Sequence, residues 1–226
     1  PNLNFRGFCG TVASGVVRKG DEIIVLPSRK KSRIKSIVTF EEELELAHSD
    51  MAITLTLEDE IDVSRGDMIV HRDNMPTVAE EFDATVVWMT EDALLPGKMY
   101  DFKLGTKTVS GRVNTIKHQI DVNTLEESPA PALELNEIGV CDVSVDQPVC
   151  IDSYDRNRNT GSFIVIDRLT NVTVGAGMIN LDAAAAKRRK RSGITHVTRE
   201  ERSARYGQKP ATVMFIGVSG AGKSTL

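Results

Sequence analysis

The chain has 226 residues, 40% of them hydrophobic and 27% charged, with a formal net charge of −4. That length can bury one or two real cores, and the slightly acidic balance argues against a general nucleic-acid coat. No apolar run approaches the ~20 residues of a membrane-spanning helix, and no signal peptide is visible. The three cysteines, Cys9, Cys141 and Cys150, show no C-x-x-C spacing. They read as reduced thiols of a cytoplasmic protein, mostly packed in cores.

Residues 1–75 form the first predicted module. Phe5–Val12 leads through Ala13-Ser14-Gly15 into Val16-Val17, and Arg18-Lys19-Gly20-Asp21 is a turn. Glu22–Leu26 reads as a strand closed by Pro27. Ser32–Phe40 is expected to place Ile34, Val38 and Phe40 on one face and Lys35 and Thr39 on the other. Met51, Ile53, Leu55 and Leu57 alternate with Ala52, Thr54, Thr56 and Glu58, a period of two. Ser64-Arg65-Gly66-Asp67 then turns into Met68–Val70. Short strands at this spacing predict a small closed or nearly closed barrel. The basic run Arg29-Lys30-Lys31 with Arg33 and Lys35 is followed at once by Glu41-Glu42-Glu43, without interleaved aromatics to stack bases. It reads as a solvated hairpin tip rather than an RNA patch.

Residues 76–181 form the second module. Phe82, Ala84, Val86 and Trp88 alternate inward, Leu95-Pro96-Gly97-Lys98 is a turn, and Tyr100, Phe102 and Leu104 alternate again. Val109, Gly111 and Val113 continue the pattern. Glu126–Ala132 is polar and proline-bearing, hence a loop. Ile138–Val145 and Pro148–Ile151 read as strands around Asp146-Gln147. Ser162–Asp167 and Val172–Val174, after the Asn159-Thr160-Gly161 turn, would close a second all-β barrel. Gly175 and Gly177 read as close-packing or bulge positions.

Residues 182–210 form a linker. Ala183–Ala186 is followed by Lys187-Arg188-Arg189-Lys190-Arg191, and Asp182–Lys209 holds nine basic residues against three acids. A solvated interdomain linker suits this composition better than a nucleic-acid tail. Thr198-x-x-Glu201 is a capping box, predicting a short helix over 199–206 before Gly207 and Pro210.

Residues 211–226 carry the strongest chemical signal. Ala211–Ile216 is apolar and partly β-branched, as a buried parallel strand should be. Gly217-Val218-Ser219-Gly220-Ala221-Gly222-Lys223-Ser224-Thr225 follows and contains the G-x-x-x-x-G-K-S phosphate-binding pattern. Its glycines let backbone N–H groups turn inward around an anion. Lys223 would set a point charge on the β/γ-phosphates, and Ser224 would offer its hydroxyl to Mg²⁺. A helix starting near Lys223 would aim its positive end at the phosphates. Residues 217–225 are therefore the candidate nucleotide-binding residues, with Ser224 the candidate metal ligand. Pro1 is not Met, and only Leu226 follows Thr225, so a piece of a longer protein is expected. The 226 residues alone are expected to be inactive and to bind nucleotide poorly.

No catalytic constellation is visible. His48, His71, His118 and His196 lack metal-ligand spacing. Asp142, Asp146, Asp152 and Asp155 form no carboxylate pair that spacing alone defines, and no G-x-S-x-G elbow occurs.

Arg6–Asp21 resembles the opening of domain II in translational GTPases such as elongation factor Tu. Asn4–Leu26, Ile37–Phe40 and Ala52–Asp67 are similar, more narrowly, to the GTPase subunit of bacterial sulfate adenylyltransferase. Ile166–Met178 resembles the closing strands of elongation factor Tu domain III. The Asp167-Arg168-Leu169-Thr170-Asn171 insert and Val86-Val87-Trp88-Met89 again resemble the adenylyltransferase subunit. The linker and glycine-rich loop resemble the approach to adenylylsulfate kinase, with Val218 where that family usually has Leu.

The resemblance implies an all-β chain: two translation-factor-like β-barrels in tandem, then a linker and the truncated start of an α/β P-loop domain. It implies a parent that adenylylates sulfate with ATP, coupled to GTP hydrolysis, and then phosphorylates adenylylsulfate at its 3′-hydroxyl. ATP and Mg²⁺ would serve the kinase, and GTP and Mg²⁺ a GTPase domain preceding Pro1. The barrels would be scaffold, docking a separate catalytic, ATP-binding sulfate adenylyltransferase subunit, with no nucleic acid and no membrane as partner. The rival expectation is a translation-factor fragment whose barrels hold tRNA.

Overall fold

Short β-branched runs punctuated by glycine and Asx turns give strands throughout residues 5–181, the part that the computed structural model describes. Every regular element there is a strand, and among the described residues no helix is long and apolar enough to cross a membrane. The linker, its helix and the glycine-rich loop expected over 182–226 lie outside the described residues.

The first half holds β1 (Phe8–Thr11), β2 (Val16–Arg18), β3 (Glu22–Leu26), β4 (Lys30–Val38), β5 (Glu43–Leu44), β6 (Leu46–His48), β7 (Ala52–Leu57) and β8 (Met68–His71). The ladder runs β1-β7-β4-β3-β8, with β5 on β4 and a separate β2-β6 ribbon. Ile23, Val25, Ile34, Ile37, Ala47, Ile53 and Leu55 form its core. Ala47 comes from the ribbon, which therefore packs onto the ladder.

One expectation fails here. Ile37 is fully buried, while Phe40 is wholly exposed. Ile34 pairs with Leu57 and Ser36 with Thr56, so Lys35 is an extra residue in β4. That bulge shifts the inward phase by one. Val38 becomes only half-buried. The basic hairpin does turn in solvent, at Pro27–Arg29, with Arg29 at φ 60°.

The second half holds β9 (Thr77–Trp88), β10 (Met99–Leu104), β11 (Lys107–Ile120), β12 (Glu127–Ser128), β13 (Ile138–Ile151), β14 (Ser162–Ile166) and β15 (Thr173–Asn180). The order is β10-β14-β15-β9-β13-β11, and β10 pairs β11, so six strands close on themselves. Phe82, Ala84, Val86, Trp88, Tyr100, Phe102, Val109 and Val113 point inward as their alternation predicts. The strands expected on either side of Asp146-Gln147 are one continuous strand, β13. Its register against β9 is interrupted between Ser144 and Val149, which leaves Asp146 and Gln147 exposed without ending the strand. The Glu126–Ala132 loop carries the two-residue β12. Gly177 lies where a Cβ would enter the Phe163 ring, and Gly175 faces Trp88, so both are close-packing positions.

The run Glu22-Ile23-Ile24-Val25-Leu26 does not alternate because both faces of β3 are covered. Ile23 and Val25 enter the first core. Ile24 and Leu26 form a second cluster with Val70, Met68 and Cys150 of β13. Arg156 Nη2–H donates to Asn74 Oδ1 at 2.6 Å, and Asn159 Nδ2–H donates to the Ala13 carbonyl at 3.4 Å. Both contacts join the Asp152–Gly161 turns to the first barrel.

Candidate functional site

The nine sequence-derived nucleotide residues, Gly217–Thr225, lie outside the described residues, as does His196. Within the described residues no group of three or more His, Cys, Asp or Glu is placed to hold a metal. Cys141 is wholly buried, and burial pushes its thiol up to about 12, so it stays protonated and unreactive at neutral pH. Cys150 lies in the inter-barrel cluster, whereas Cys9 is exposed rather than in a core. His118 Nε2 lies 3.5 Å from Glu127 at the β11–β12 edge. Asp142 accepts from Asn114 Nδ2–H at 2.8 Å, and Asp152 accepts from the Thr160 hydroxyl at 2.7 Å. These acids are structural hydrogen-bond acceptors.

The basic hairpin borders a cleft of about 320 Å³ lined by Lys31, Arg33 and Arg72 but also by Glu22, Glu58 and Asp59. Arg33 pairs with Glu22 at 3.0 Å, and the Ser32 hydroxyl donates to Asp59 at 2.9 Å. The mixed charge gives no anion funnel.

A denser arrangement lies at the end of the second barrel that holds the last residues of β9 and the first of β10 and β15. Trp88 and Tyr100 stack edge to face, 5.6 Å between centroids, and close the core there. The indole N–H donates to the Asp92 carbonyl at 2.6 Å. Lys98 Nζ lies 5.1 Å from the Tyr100 ring centroid and 3.2 Å from Asp167 Oδ2. The Tyr100 hydroxyl is buried with no hydrogen-bond partner, and burial raises its pKa. The other carboxylate oxygen of Asp167 accepts from the N–H groups of Leu169 and Thr170, both at 3.0 Å. Those N–H donors, with Lys98 behind them, hold the Asp167 carboxyl down to about 2.

The loops at this end are tied together. Leu94 bridges Leu133, Asn136 N–H donates to the Trp88 carbonyl, and Met89 N–H donates to the Val174 carbonyl. Two stretches singled out in the sequence, Val86–Met89 and Asp167–Asn171, thus meet in space. Lys98 and Tyr100 link them, since Lys98 pairs with Asp167 and lies over the ring that packs on Trp88, although the sequence marked Lys98 only as part of a turn. A preorganised loop surface of this kind can hold a partner.

The family described as GTP-eEF1A C-terminal domain-like matches residues 81–180. A bifunctional enzyme CysN/CysC of Rhodopirellula baltica is 52% identical across 100% of this chain and 37% of its own length. A sulfate adenylyltransferase subunit 1 of Shewanella woodyi is 59% identical across 79% of this chain and 38% of its own length. The chain thus spans less than two-fifths of these relatives. A solved structure of Sup35 complexed with GDP superposes with a TM-score of 0.70 at 19% identity, covering 77% of this chain and 44% of that one. At that identity the likeness is one of fold: translation-factor-type β-barrels.

Proposed function

We propose that this chain is the tandem-barrel region of a bifunctional sulfate-activating protein, together with the linker and first phosphate-binding loop of its kinase. One observation carries the reading. The subunit 1 relative aligns with 79% of the chain, whereas the bifunctional relative aligns with all of it. The difference is about the share that residues 182–226 occupy, and those residues contain the G-x-x-x-x-G-K-S pattern.

On this reading the parent is a cytoplasmic transferase. It forms adenylylsulfate from ATP and sulfate, coupled to GTP hydrolysis in a preceding domain, and then phosphorylates the 3′-hydroxyl with a second ATP. The donor set of 217–225 suits a nucleoside triphosphate with Mg²⁺: backbone N–H groups at Gly217, Val218, Ser219, Gly220, Ala221 and Gly222, the Lys223 ammonium, and the Ser224 and Thr225 hydroxyls. Bound Mg²⁺ would neutralise phosphate charge, with Ser224 as its protein ligand. The barrels hold no catalytic group. They carry the partner, the catalytic ATP-binding subunit, and position the domains on either side.

The test uses the full-length parent with its partner, supplied with sulfate, ATP and GTP. Lys223→Ala should abolish the 3′-phosphorylated product while adenylylsulfate accumulates. In the 226 residues alone the same change should leave calorimetric titration with Mg-ATP flat. Ordering eight loop residues costs roughly 8–16 kcal/mol, more than a few phosphate hydrogen bonds at about 1.5–3 kcal/mol each return. Unchanged 3′-phosphorylation in the Lys223→Ala parent, or no adenylylsulfate from the wild type, would overturn the reading.

A further inference from the structure

We propose that the end of the second barrel built around Trp88, Lys98 and Asp167 is the docking surface for a separate protein chain. That chain's contact face would be apolar at its centre and carry Lys or Arg at its edge. Five large apolar side chains stand in solvent on the loops of this end: Met89, Leu95, Leu135, Val172 and, most openly, Leu169 at 91% exposure. Single exposed apolar residues need no explanation, but a contiguous group marks an interaction site.

These five belong to one surface because their loops are cross-linked. The 89–98 loop is held to the 133–137 loop by the Leu94–Leu133 bridge and to the 167–172 turn by the Lys98–Asp167 pair. The Asp167 carboxylate fixes the turn that presents Leu169. Such a surface is ordered before it binds, which lowers the entropic cost of association.

The charges around it select the occupant. Glu91, Asp92 and Glu134 are exposed, and none of the ion pairs of the described residues involves them. Of the cations at this end, Lys98 pairs with Asp167 and Arg168 with Asp101 at 3.5 Å, while Arg112, opposite Met99, donates to the neutral Asn114 amide oxygen. Three acids against one cation outside the ion pairs of the described residues leave the balance acidic. A second copy would set acid against acid, whereas a basic-edged partner would be steered in.

Resting on the proposed function, the occupant is the ATP-binding sulfate adenylyltransferase subunit. The test measures its binding to the 226-residue chain by biolayer interferometry, with thermal melts as the check on folding. Met89→Glu/Leu169→Glu should weaken binding at least tenfold without lowering the melting temperature, because both side chains already face solvent. Glu91→Lys/Glu134→Lys should slow association and flatten its salt dependence. Phe40→Glu, an equally exposed apolar site on the first barrel, should change nothing. If wild type and Met89→Glu/Leu169→Glu bind alike, the docking surface is elsewhere and the proposed function stands. If the wild-type chain does not bind this subunit at all, both fail. A wild-type dimer that Leu169→Glu dissolves would replace the proposal with a self-interface.

Discussion

In the second barrel β10 pairs with both β11 and β14, and the six-strand ladder returns on itself. In the first, β1 and β8 end the ladder, and a two-stranded ribbon packs onto it. The cores differ in the same sense. The closed barrel buries Phe82, Trp88, Tyr100, Phe102 and Phe163, whereas the core of the first is aliphatic throughout. The first barrel also has an apolar outer face, Ile24, Leu26 and Val70, against which Met68 and, from the second barrel, Cys150 pack. Closure gives a barrel no free edges and a core of its own. The open partner draws part of its burial from its neighbour, so stability should flow mainly one way across the junction.

The largest expected effect lies at the closed core. Trp88→Ala removes a fully buried indole, its edge-to-face contact with Tyr100 and its bond to the Asp92 carbonyl. It should cost about 3–5 kcal/mol and destabilise both barrels, since the first leans on the second. Chemical denaturation followed by the amide exchange of each barrel reads this. Exchange that rises only in the second barrel would show that the first stands alone and would break the comparison.

Leu26→Ala should have a smaller and more local effect. Leu26 lies in the junction cluster at 2% exposure. Its truncation should cost about 2–5 kcal/mol, toward the lower figure because the junction can close partly. Amides of β3 and β8 should exchange faster, while those of β10 and β14 keep their protection. Equal acceleration in both barrels would mean that they open as one cooperative unit.

The difference between the barrels also governed what the sequence revealed. From Phe82 to Trp88 the period of two is unbroken, and the inward residues follow directly. In β4 the extra Lys35 shifts the phase, so Ile37 rather than Phe40 enters the core. A bulge leaves no signature in hydrophobic periodicity, because the partner strand creates it. Asp146-Gln147 looked like a break for a related reason: two polar residues can sit outside an irregular register without ending a strand. At the outer end of the second barrel, Trp88 and the Asp167–Asn171 insert were recognisable stretches. Their link through Lys98 and the Tyr100 ring was not legible, since an ion pair and a ring contact between distant segments have no local pattern.

The smallest expected effect is electrostatic, and it separates the barrels by pH. The ion pairs of the first barrel, Arg6–Asp62, Lys19–Glu43 and Arg33–Glu22, are exposed on both sides and should contribute little. Asp167 in the second is different, since its carboxylate is largely covered and accepts two backbone N–H bonds besides facing Lys98. Its folded pKa lies at about 2, below the ordinary 3.8. A carboxyl lowered on folding stabilises the fold fully above its unfolded pKa and loses that contribution as pH falls through the folded one. The stabilisation from Asp167 should thus be intact above pH ~4 and disappear toward pH ~2. Asp167→Asn keeps an oxygen for the Leu169 and Thr170 N–H groups but cannot carry the charge. Its melting temperature should lie below that of the wild type at pH 7, by the same margin down to pH ~4, and the gap should then narrow toward pH ~2. Other carboxylates titrate in this range, so the difference between the two proteins is the quantity to follow. A gap that stays constant down to pH ~2 would show that the turn, and not the charge on Asp167, secures this end of the barrel.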